Sequence, residues 1–280
     1  MKNFKKNLQK QIKGLSKADI HIHSNYSDGH PTIEEILKYT QEKTDIDVIA
    51  ITDHDTTDGA IYALELAKKK KYRFEIIVGE EVSSKEGHII GLFLKETIPP
   101  SLSAHDTIKM IHAQGGIAIA AHPLYHSRMN NHTIVWADGV GTQTLLKEKN
   151  HFDAIETVNA TPTLGEENLH VKYLNRLLLF RPETGSSDAH IVQAIGKGFT
   201  LFEGKTAEAF KTAVIKHQTQ AINEKWNFMG IMRYAFFFLP KGLRTTFYTI
   251  LWGKRKKRPE IINFPSMAKI RREIADDFYE

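Results

Sequence analysis

The chain has 280 residues, a net charge of +5 and no cysteine. This length suits one large α/β domain with an appendage, or two small domains, and a sizeable core can be buried. The lack of cysteine excludes disulfides, thiolate metal sites and cysteine nucleophiles, and a cytoplasmic location is the simple expectation.

The charge is unevenly distributed along the chain. Residues 1–17 carry a net charge of +6, residues 225–280 carry +7, and residues 18–224 carry −8. An acidic middle suits a domain that gathers divalent cations, whereas basic ends are either solvated or contact nucleic acid or an anionic membrane surface. The N-terminus predicts no secretory signal, and charged residues interrupt the apolar residues 228–252, so no transmembrane span is predicted.

Short β-like runs alternate with helical patterns along the chain. The first strand is predicted over residues 18–24, and a helix with a capping box formed by Thr32 and Glu35 follows over residues 32–43. The alternation continues with strand 47–55, helix 58–71, strands 74–84 and 88–94, helix 104–114, strand 117–123, strand 152–159, helix 166–178, strand 183–190, and residues 198–204 and 207–217. This order favours a parallel sheet, either open or closed into a barrel.

The first predicted strand contains two histidines two positions apart, in "ADIHIHSNYSDGH". In a strand, His21 and His23 point to the same face, and Asp28 follows shortly after them. The pair alone is a weak signal, because about 0.7 His-x-His pairs are expected by chance in a chain with 14 histidines. The other strands therefore decide whether it is a metal site.

Polar residues recur at the ends of the later strands. They are His54 in "AITDHDTTDG", Glu81 in "VGEEVSS", His122 in "IAAHP", and Asp188 and His190 in "GSSDAH", and a further candidate, His88 in "EGHIIG", stands at the head of a strand. Barrels of parallel strands build their active sites at the carboxyl ends of the strands, so we expect these side chains to meet. Imidazole and carboxylate ligands suit Zn²⁺, Fe²⁺ or Mn²⁺, and nine of them exceed the roughly four that one zinc ion takes. Two or three ions are implied.

These motifs together resemble the polymerase and histidinol phosphatase (PHP) family of metal-dependent phosphoesterases. The matching stretches are "DIHIHS" with "YSDG", "AITDHDT", "GEEVSS" with "GHIIGLF", "AHP", "DAIE" and "GSSDAH", within about residues 18–200. The resemblance implies an α/β fold, a distorted (β/α)₇ TIM-like barrel with a metal centre at the strand ends. The sequence around the first two motifs is closest to the branch of nucleotide phosphatases and 5′–3′ exonuclease-like enzymes.

The resemblance also implies three sets of metal ligands. The first ion would be held by His21, His23, Glu81 and Asp188, the second by Glu81, His88 and His122, and the third by Asp28, His54 and His190. Glu81 is preferred to Glu80, because the family pattern is Gly-x-Glu followed by an apolar residue and Ser. The implied chemistry is hydrolysis by a metal-bridged hydroxide, with no side-chain nucleophile assigned.

Further residues are expected to support these ligands. Asp53 and Asp55 flank His54 and are candidates to orient ligand imidazoles. The resemblance places Glu156 and Asn159 in a supporting role. His126 and Arg128 follow the "AHP" turn and either bind a substrate phosphate or lie in a solvated loop; the seven other histidines receive no role.

Three regions are predicted along the chain. They are a basic N-terminal extension over residues 1–17, a PHP barrel over 18–222, and a basic, aromatic-rich helical appendage over 223–280. Within the appendage, residues 226–258 combine aromatic side chains with the sequence "KRKKR". They have three interpretations: a helix packed on the barrel or on a second subunit, a peripheral membrane contact, and a nucleic-acid surface.

The predicted function is hydrolysis of a phosphate ester with two or three divalent ions (Mn²⁺, Fe²⁺ or Zn²⁺). The substrate partner is a nucleotide, a short oligonucleotide or a small phosphorylated metabolite. The alternatives are a 5′–3′ exonuclease that acts on an RNA or DNA end, a metal-dependent amidohydrolase, which also carries His-x-His on a first strand, and a non-enzymatic metal-binding scaffold that docks through its basic tail.

Overall fold

The computed structural model describes residues 14–125, 139–226, 228–238 and 265–276. Within these residues, nine strands form one sheet. The strands are β1 (Ser16–Asp19), β2 (Val48–Ile51), β3 (Glu75–Ser83), β4 (His88–Leu92), β5 (Ile117–Ala120), β6 (Ala154–Asn159), β7 (Glu183–Ser186), β8 (Gly198–Phe202) and β9 (Gln220–Asn223).

The sheet curls into a nearly closed barrel. Its strand order is β7-β6-β5-β4-β3-β2-β1-β8-β9. The two ends of this order meet where Gly185 of β7 donates its N–H to Thr200 Oγ1 of β8 at 2.9 Å, and where Thr219 Oγ1 donates to the Glu183 carbonyl at 2.8 Å. The predicted TIM-like α/β barrel is therefore confirmed.

The sheet is mixed rather than parallel throughout. Pairs β3–β4, β4–β5, β1–β8 and β8–β9 are antiparallel, which differs from the parallel sheet that the sequence favoured. Residues 84–87 alone join β3 to β4, and a parallel crossover needs a dozen or more residues. Because β4 runs in reverse, His88 at its beginning lies opposite Ser83, at the end of β3.

Eight helices are described around and beside the barrel. They are α1 (Ile33–Lys43), α2 (Asp58–Lys69), α3 (Ala104–Ala113), α4 (Gly141–Glu148), α5 (Gly165–Leu174), α6 (Ala207–Ile215), α7 (residues 228–238) and α8 (Met267–Asp276). The predicted capping box forms at the start of α1, where the Thr32 N–H donates to Glu35 Oε2 at 2.9 Å. Helix α4 was not predicted, and the predicted helix 166–178 ends in a π-helical turn, Asn175–Leu179.

The strands are buried on both faces, which explains their almost continuous apolar sequences. In β2, Ile49 packs in a cluster with Ile36 and Leu37 of α1, whereas Val48 packs in a second cluster with Phe210 of α6. Full burial of each such side chain contributes about 1.5–3 kcal/mol. The barrel is therefore a rigid support, and its polar residues concentrate where the strands end.

The ends of the described barrel differ slightly from the predicted regions, whose division into domains stays a prediction. Strand β1 begins at Ser16, inside the predicted N-terminal extension, because Ser16 pairs with Phe202 of β8. After β9, Trp226 Nε1 donates to the Ala160 carbonyl at 2.8 Å, and Tyr234 of α7 packs against the core. None of the described helices is long and apolar enough to cross a membrane.

Candidate metal centre

Glu81 is the centre of a cluster of histidines at one end of the barrel. Its carboxylate is buried, and five imidazoles face it. Oε2 lies 3.1 Å from His21 Nε2, 3.2 Å from His23 Nε2 and 3.4 Å from His54 Nδ1. On the other side, Oε1 lies 3.0 Å from His88 Nδ1 and 2.9 Å from His122 Nε2. Each carboxylate oxygen thus faces its own set of imidazoles.

Two aspartates extend the cluster. Asp188 Oδ1 lies 3.3 Å from His23 Nε2 and 3.6 Å from His21 Nε2. Asp28 Oδ1 lies 3.0 Å from His190 Nε2 and 3.9 Å from His54 Nε2. All nine predicted metal ligands therefore lie in one continuous cluster, although they come from five separate stretches of the chain.

Several buried imidazole nitrogens of the cluster have no hydrogen-bond partner among the described residues and are suited to binding cations. His21 Nε2, His23 Nε2 and His88 Nδ1 are buried and form no hydrogen bond with any residue that the structure describes. Each nevertheless lies 3.0–3.2 Å from an oxygen of Glu81. Buried polar atoms are normally satisfied, so these orphaned nitrogens fit divalent ions held between imidazole and carboxylate.

The electrostatics of the cluster favour bound positive charge. Burial alone would lower the pKa of His23, but the adjacent carboxylates of Asp188 and Glu81 raise it to about 10. Burial is the largest influence on His54 and lowers its pKa to about 3. Burial opposes ionisation of Glu81, yet the neighbouring imidazoles hold its pKa well below the usual range. Glu81 is therefore ionised and His54 is neutral, the states in which a carboxylate and an imidazole bind metals, and a bound ion would take the place of the proton on His23.

Glu156 and Asn159 support the ligands from strand β6. Glu156 Oε1 lies 3.0 Å from His21 Nδ1, which leaves Nε2 of that ring for Glu81. Its Oε2 accepts the backbone N–H of His122 at 2.6 Å. Asn159 Nδ2 donates to both Glu156 Oε2 and Asp188 Oδ2 at 3.1 Å. Both side chains thus restrain residues that are predicted to bind metal, which is the role expected for them.

Asp53 and Asp55 contact loops rather than the ligand imidazoles expected for them. Asp53 accepts hydrogen bonds from Ser24 N at 2.7 Å and from Ser24 Oγ at 2.6 Å, and Ser27 Oγ also donates to it. Asp55 Oδ1 accepts the N–H of Ser83 at 2.7 Å. These carboxylates position the backbone that follows β1 and the end of β3.

Two of the predicted ligands have strained backbone. His122 has φ 25° and Asp188 has φ 50°, in the left-handed region that non-glycine residues rarely adopt. Each such residue costs on the order of 1–3 kcal/mol, which the surrounding structure must offset. Strain of this kind concentrates at functional sites.

Glu80 points away from the cluster, as alternation along a strand requires. Its Oε2 accepts the N–H of Ile98 at 2.8 Å, and burial raises the pKa of Glu80 to about 8. Glu81, rather than Glu80, is thus the glutamate among the histidines.

Aromatic side chains of α7, which were not predicted to lie there, border the cluster. The Phe238 ring of α7 lies 5.6 Å from the His190 ring, edge to face, and stacks on Tyr234 at 4.3 Å. The run of aromatic residues in 226–238 was the available signal, but it did not indicate where the helix would pack. The candidate phosphate-binding residues His126 and Arg128 lie outside the described residues.

Residues 19–228 match the family model of the PHP domain. The chain belongs to the PHP family. As a member of this family of metal-dependent phosphoesterases, the protein is a hydrolase that acts on phosphoester bonds, and its clusters of His, Asp and Glu could hold divalent metals. Membership of the PHP family accounts for the histidine and carboxylate motifs, which the amidohydrolase and scaffold interpretations were also meant to explain.

Several known proteins resemble this PHP-family chain. An uncharacterized protein of Methanocaldococcus jannaschii, MJ1587, is 43% identical over 118 residues, which cover 38% of this chain and 67% of that protein. The phosphoribosyl 1,2-cyclic phosphate 1,2-diphosphodiesterase of Eggerthella lenta is 34% identical over 87 residues, or 29% of this chain and 32% of that enzyme.

A solved structure shares the fold. It is a two-domain protein of Bacteroides vulgatus that contains a PHP-like metal-dependent phosphoesterase. It superposes with a TM-score of 0.58 and 19% identity, over 80% of this chain and 70% of that one. At 19% identity the similarity shows a shared barrel fold and does not identify the substrate.

Proposed function

We propose that the protein hydrolyses a phosphate ester of a nucleotide, a short oligonucleotide or a small phosphorylated metabolite, with two or three divalent ions (Mn²⁺, Fe²⁺ or Zn²⁺) in the cluster around Glu81. The observation that supports this most directly is the Glu81 carboxylate, whose two oxygens face separate sets of imidazoles. A carboxylate in that position can bridge two ions.

In this proposal the ligands divide into the three sets expected from the family resemblance. His21, His23 and Asp188 hold the first ion with Glu81, His88 and His122 hold the second with the same glutamate, and Asp28, His54 and His190 hold the third. When bound, the ions lower the pKa of a water molecule and neutralise charge on the phosphoryl group. The protein's own part is orientation: Glu156 fixes the tautomer and tilt of His21, and Asn159 holds Asp188 in place.

The test measures phosphate release by the purified full chain. Substrates are an aryl phosphate, mononucleotides and small phosphorylated metabolites, each with Mn²⁺, Fe²⁺ or Zn²⁺. His54→Ala and Glu81→Gln are expected to lose activity. His112→Ala is the matched control, because His112 lies on α3, outside the cluster, and pairs with Asp153. Equal activity in wild type, His54→Ala and Glu81→Gln would overturn the assignment.

The 5′–3′ exonuclease alternative is separated by the products. An exonuclease shortens a 3′-labelled oligonucleotide stepwise from its 5′ end and releases mononucleotides. A phosphatase removes only the terminal phosphate and leaves the length unchanged. Gel analysis with RNA and DNA of equal sequence distinguishes these outcomes.

A peripheral membrane contact through residues 226–258 is a second proposal, supported by α7. Phe228, Met229 and Phe236 are exposed on this helix, with Phe236 80% exposed, and the basic sequence 254–258 follows in the chain. Exposed apolar side chains beside basic residues suit an anionic lipid surface. Flotation of the full chain with phosphatidylserine vesicles, but not with neutral vesicles, is the expected result; no flotation with either, or binding to nucleic acid only, would refute the proposal.

A further inference from the structure

A second group of metal-ligating side chains lies outside the cluster around Glu81. It consists of His105 in the first turn of α3, Glu148 at the end of α4, and His151 in the turn before β6. No role was predicted for these two histidines from the sequence. They come together because the end of α4 packs beside the beginning of α3.

The ligand atoms of this group are already spaced for one ion. Nδ1 of His105 and Nδ1 of His151 each lie 3.0 Å from Oε2 of Glu148, and the three atoms lie within 4.8 Å of one another. Tetrahedral ligands at about 2.0–2.1 Å from a zinc ion are about 3.3 Å apart. The two nitrogen–oxygen distances are therefore a few tenths of an ångström shorter than that spacing, and the two nitrogens lie at most 4.8 Å apart. The same nitrogen–oxygen distances around Glu81 range from 2.9 to 3.4 Å.

The carboxylate is held where a bound cation would stabilise it. Glu148 is 3% exposed and is the last residue of α4, where the helix dipole disfavours negative charge. Lys147 Nζ lies 3.2 Å from its Oε1, so Oε2 is the oxygen that faces the two imidazoles. The His105 and His151 side chains are 51% and 52% exposed, which leaves room for water at a fourth position.

We propose that His105, Glu148 and His151 bind one divalent ion of the zinc class. Two imidazoles with one carboxylate and water form a ligand set that zinc uses in proteins, and imidazole also suits Cu²⁺ and Ni²⁺. The ion would tie α3 to the end of α4, which leads directly into β6 and its supporting residues Glu156 and Asn159. This site is independent of the proposed hydrolysis.

The test counts Zn²⁺ ions on the full chain by equilibrium dialysis and elemental analysis. His105→Gln and His151→Gln are expected to bind about one equivalent fewer than the wild type, in line with the loss of one of three ligands. His112→Gln is the matched control on the same helix, because His112 Nε2 meets a single carboxylate, Asp153 Oδ2, at 2.8 Å. It should bind as many ions as the wild type.

A second measurement keeps the result clear if a variant is less stable. Zn²⁺ is added to each protein and the rise in melting temperature is recorded relative to the same protein in EDTA. The rise should be smaller for His105→Gln and His151→Gln than for His112→Gln. Equal zinc content and an equal rise in all four proteins would overturn the proposal, as would the same loss in the His112→Gln control.

Discussion

Glu80→Gln should remove a pH-dependent loss of folding stability. Burial raises the pKa of Glu80 from 4.5 to about 8, so the native state holds a proton that the unfolded chain has released between these values. The stability of the wild type therefore falls as pH rises through this range, by about 1.4 kcal/mol per pH unit. The full effect approaches about 5 kcal/mol above pH 8, an upper bound that structural relaxation reduces.

The replacement is designed to change only the ionisation. Glutamine is close in shape to the protonated acid, and its carbonyl oxygen can still accept the Ile98 N–H. The assay is urea unfolding of wild type and Glu80→Gln in EDTA from pH 5.5 to 8.5, because bound metal would add its own pH dependence. The difference in unfolding free energy should shift in favour of the variant by about 3 kcal/mol across this range.

A difference that stays constant with pH would refute the reasoning, since it would mean that Glu80 ionises in the native state as it does in the unfolded chain. Glu81→Gln provides a contrast within the same dipeptide. It should reduce metal binding and activity, whereas Glu80→Gln should retain both.

Three further predictions follow from the described contacts. Chelation should abolish hydrolysis and lower the melting temperature, and Mn²⁺ should restore both; an ion at 100 times its Kd stabilises by about 2.7 kcal/mol, and unchanged melting in EDTA would contradict this. Gly59→Ala should lower activity on the order of 10- to 100-fold, because a Cβ there would lie 2.5 Å from Asp53 Oδ2 and displace the loop that Asp53 holds. Gly165→Ala, where a Cβ meets no described atom within 4 Å, is its control, and equal kcat/KM in the two variants would contradict the role of Asp53. Trp226→Phe should lose about 1 kcal/mol of stability in urea unfolding, because the Ala160 carbonyl loses its donor; an unchanged midpoint would show that this bond does not anchor α7.

The strands and helices could be predicted well from the sequence because their signals are local, whereas the closed barrel was implied by the resemblance to the PHP family. Apolar β-branched runs, the Thr32 capping box and the recurrence of His, Asp and Glu after apolar strands are all visible within short windows. The choice of Glu81 over Glu80 rested on the family pattern of Gly-x-Glu followed by an apolar residue and Ser, and strand alternation separates the two side chains accordingly. The direction of β4 was missed because a parallel sheet was assumed, although the short connection at 84–87 already required a hairpin.

The remaining features depend on contacts between distant parts of the chain. Asp53 accepts hydrogen bonds from Ser24 and Ser27, which lie 29 and 26 positions earlier in the chain. The periodicity of the sequence does not predict such a pairing. Glu148 meets His105 across 43 positions, from a helix that was itself not predicted. Such contacts arise only once the barrel has brought its outer helices together, so a single sequence read by local rules does not reveal them.

Helix α7 contacts the cluster around Glu81, although almost all of this helix follows the residues that match the family model. The PHP match ends at residue 228, whereas Phe238 lies against His190 from the far end of the helix that begins there. A change in this helix can therefore alter the side chains that border His190 while the nine clustered side chains stay in place.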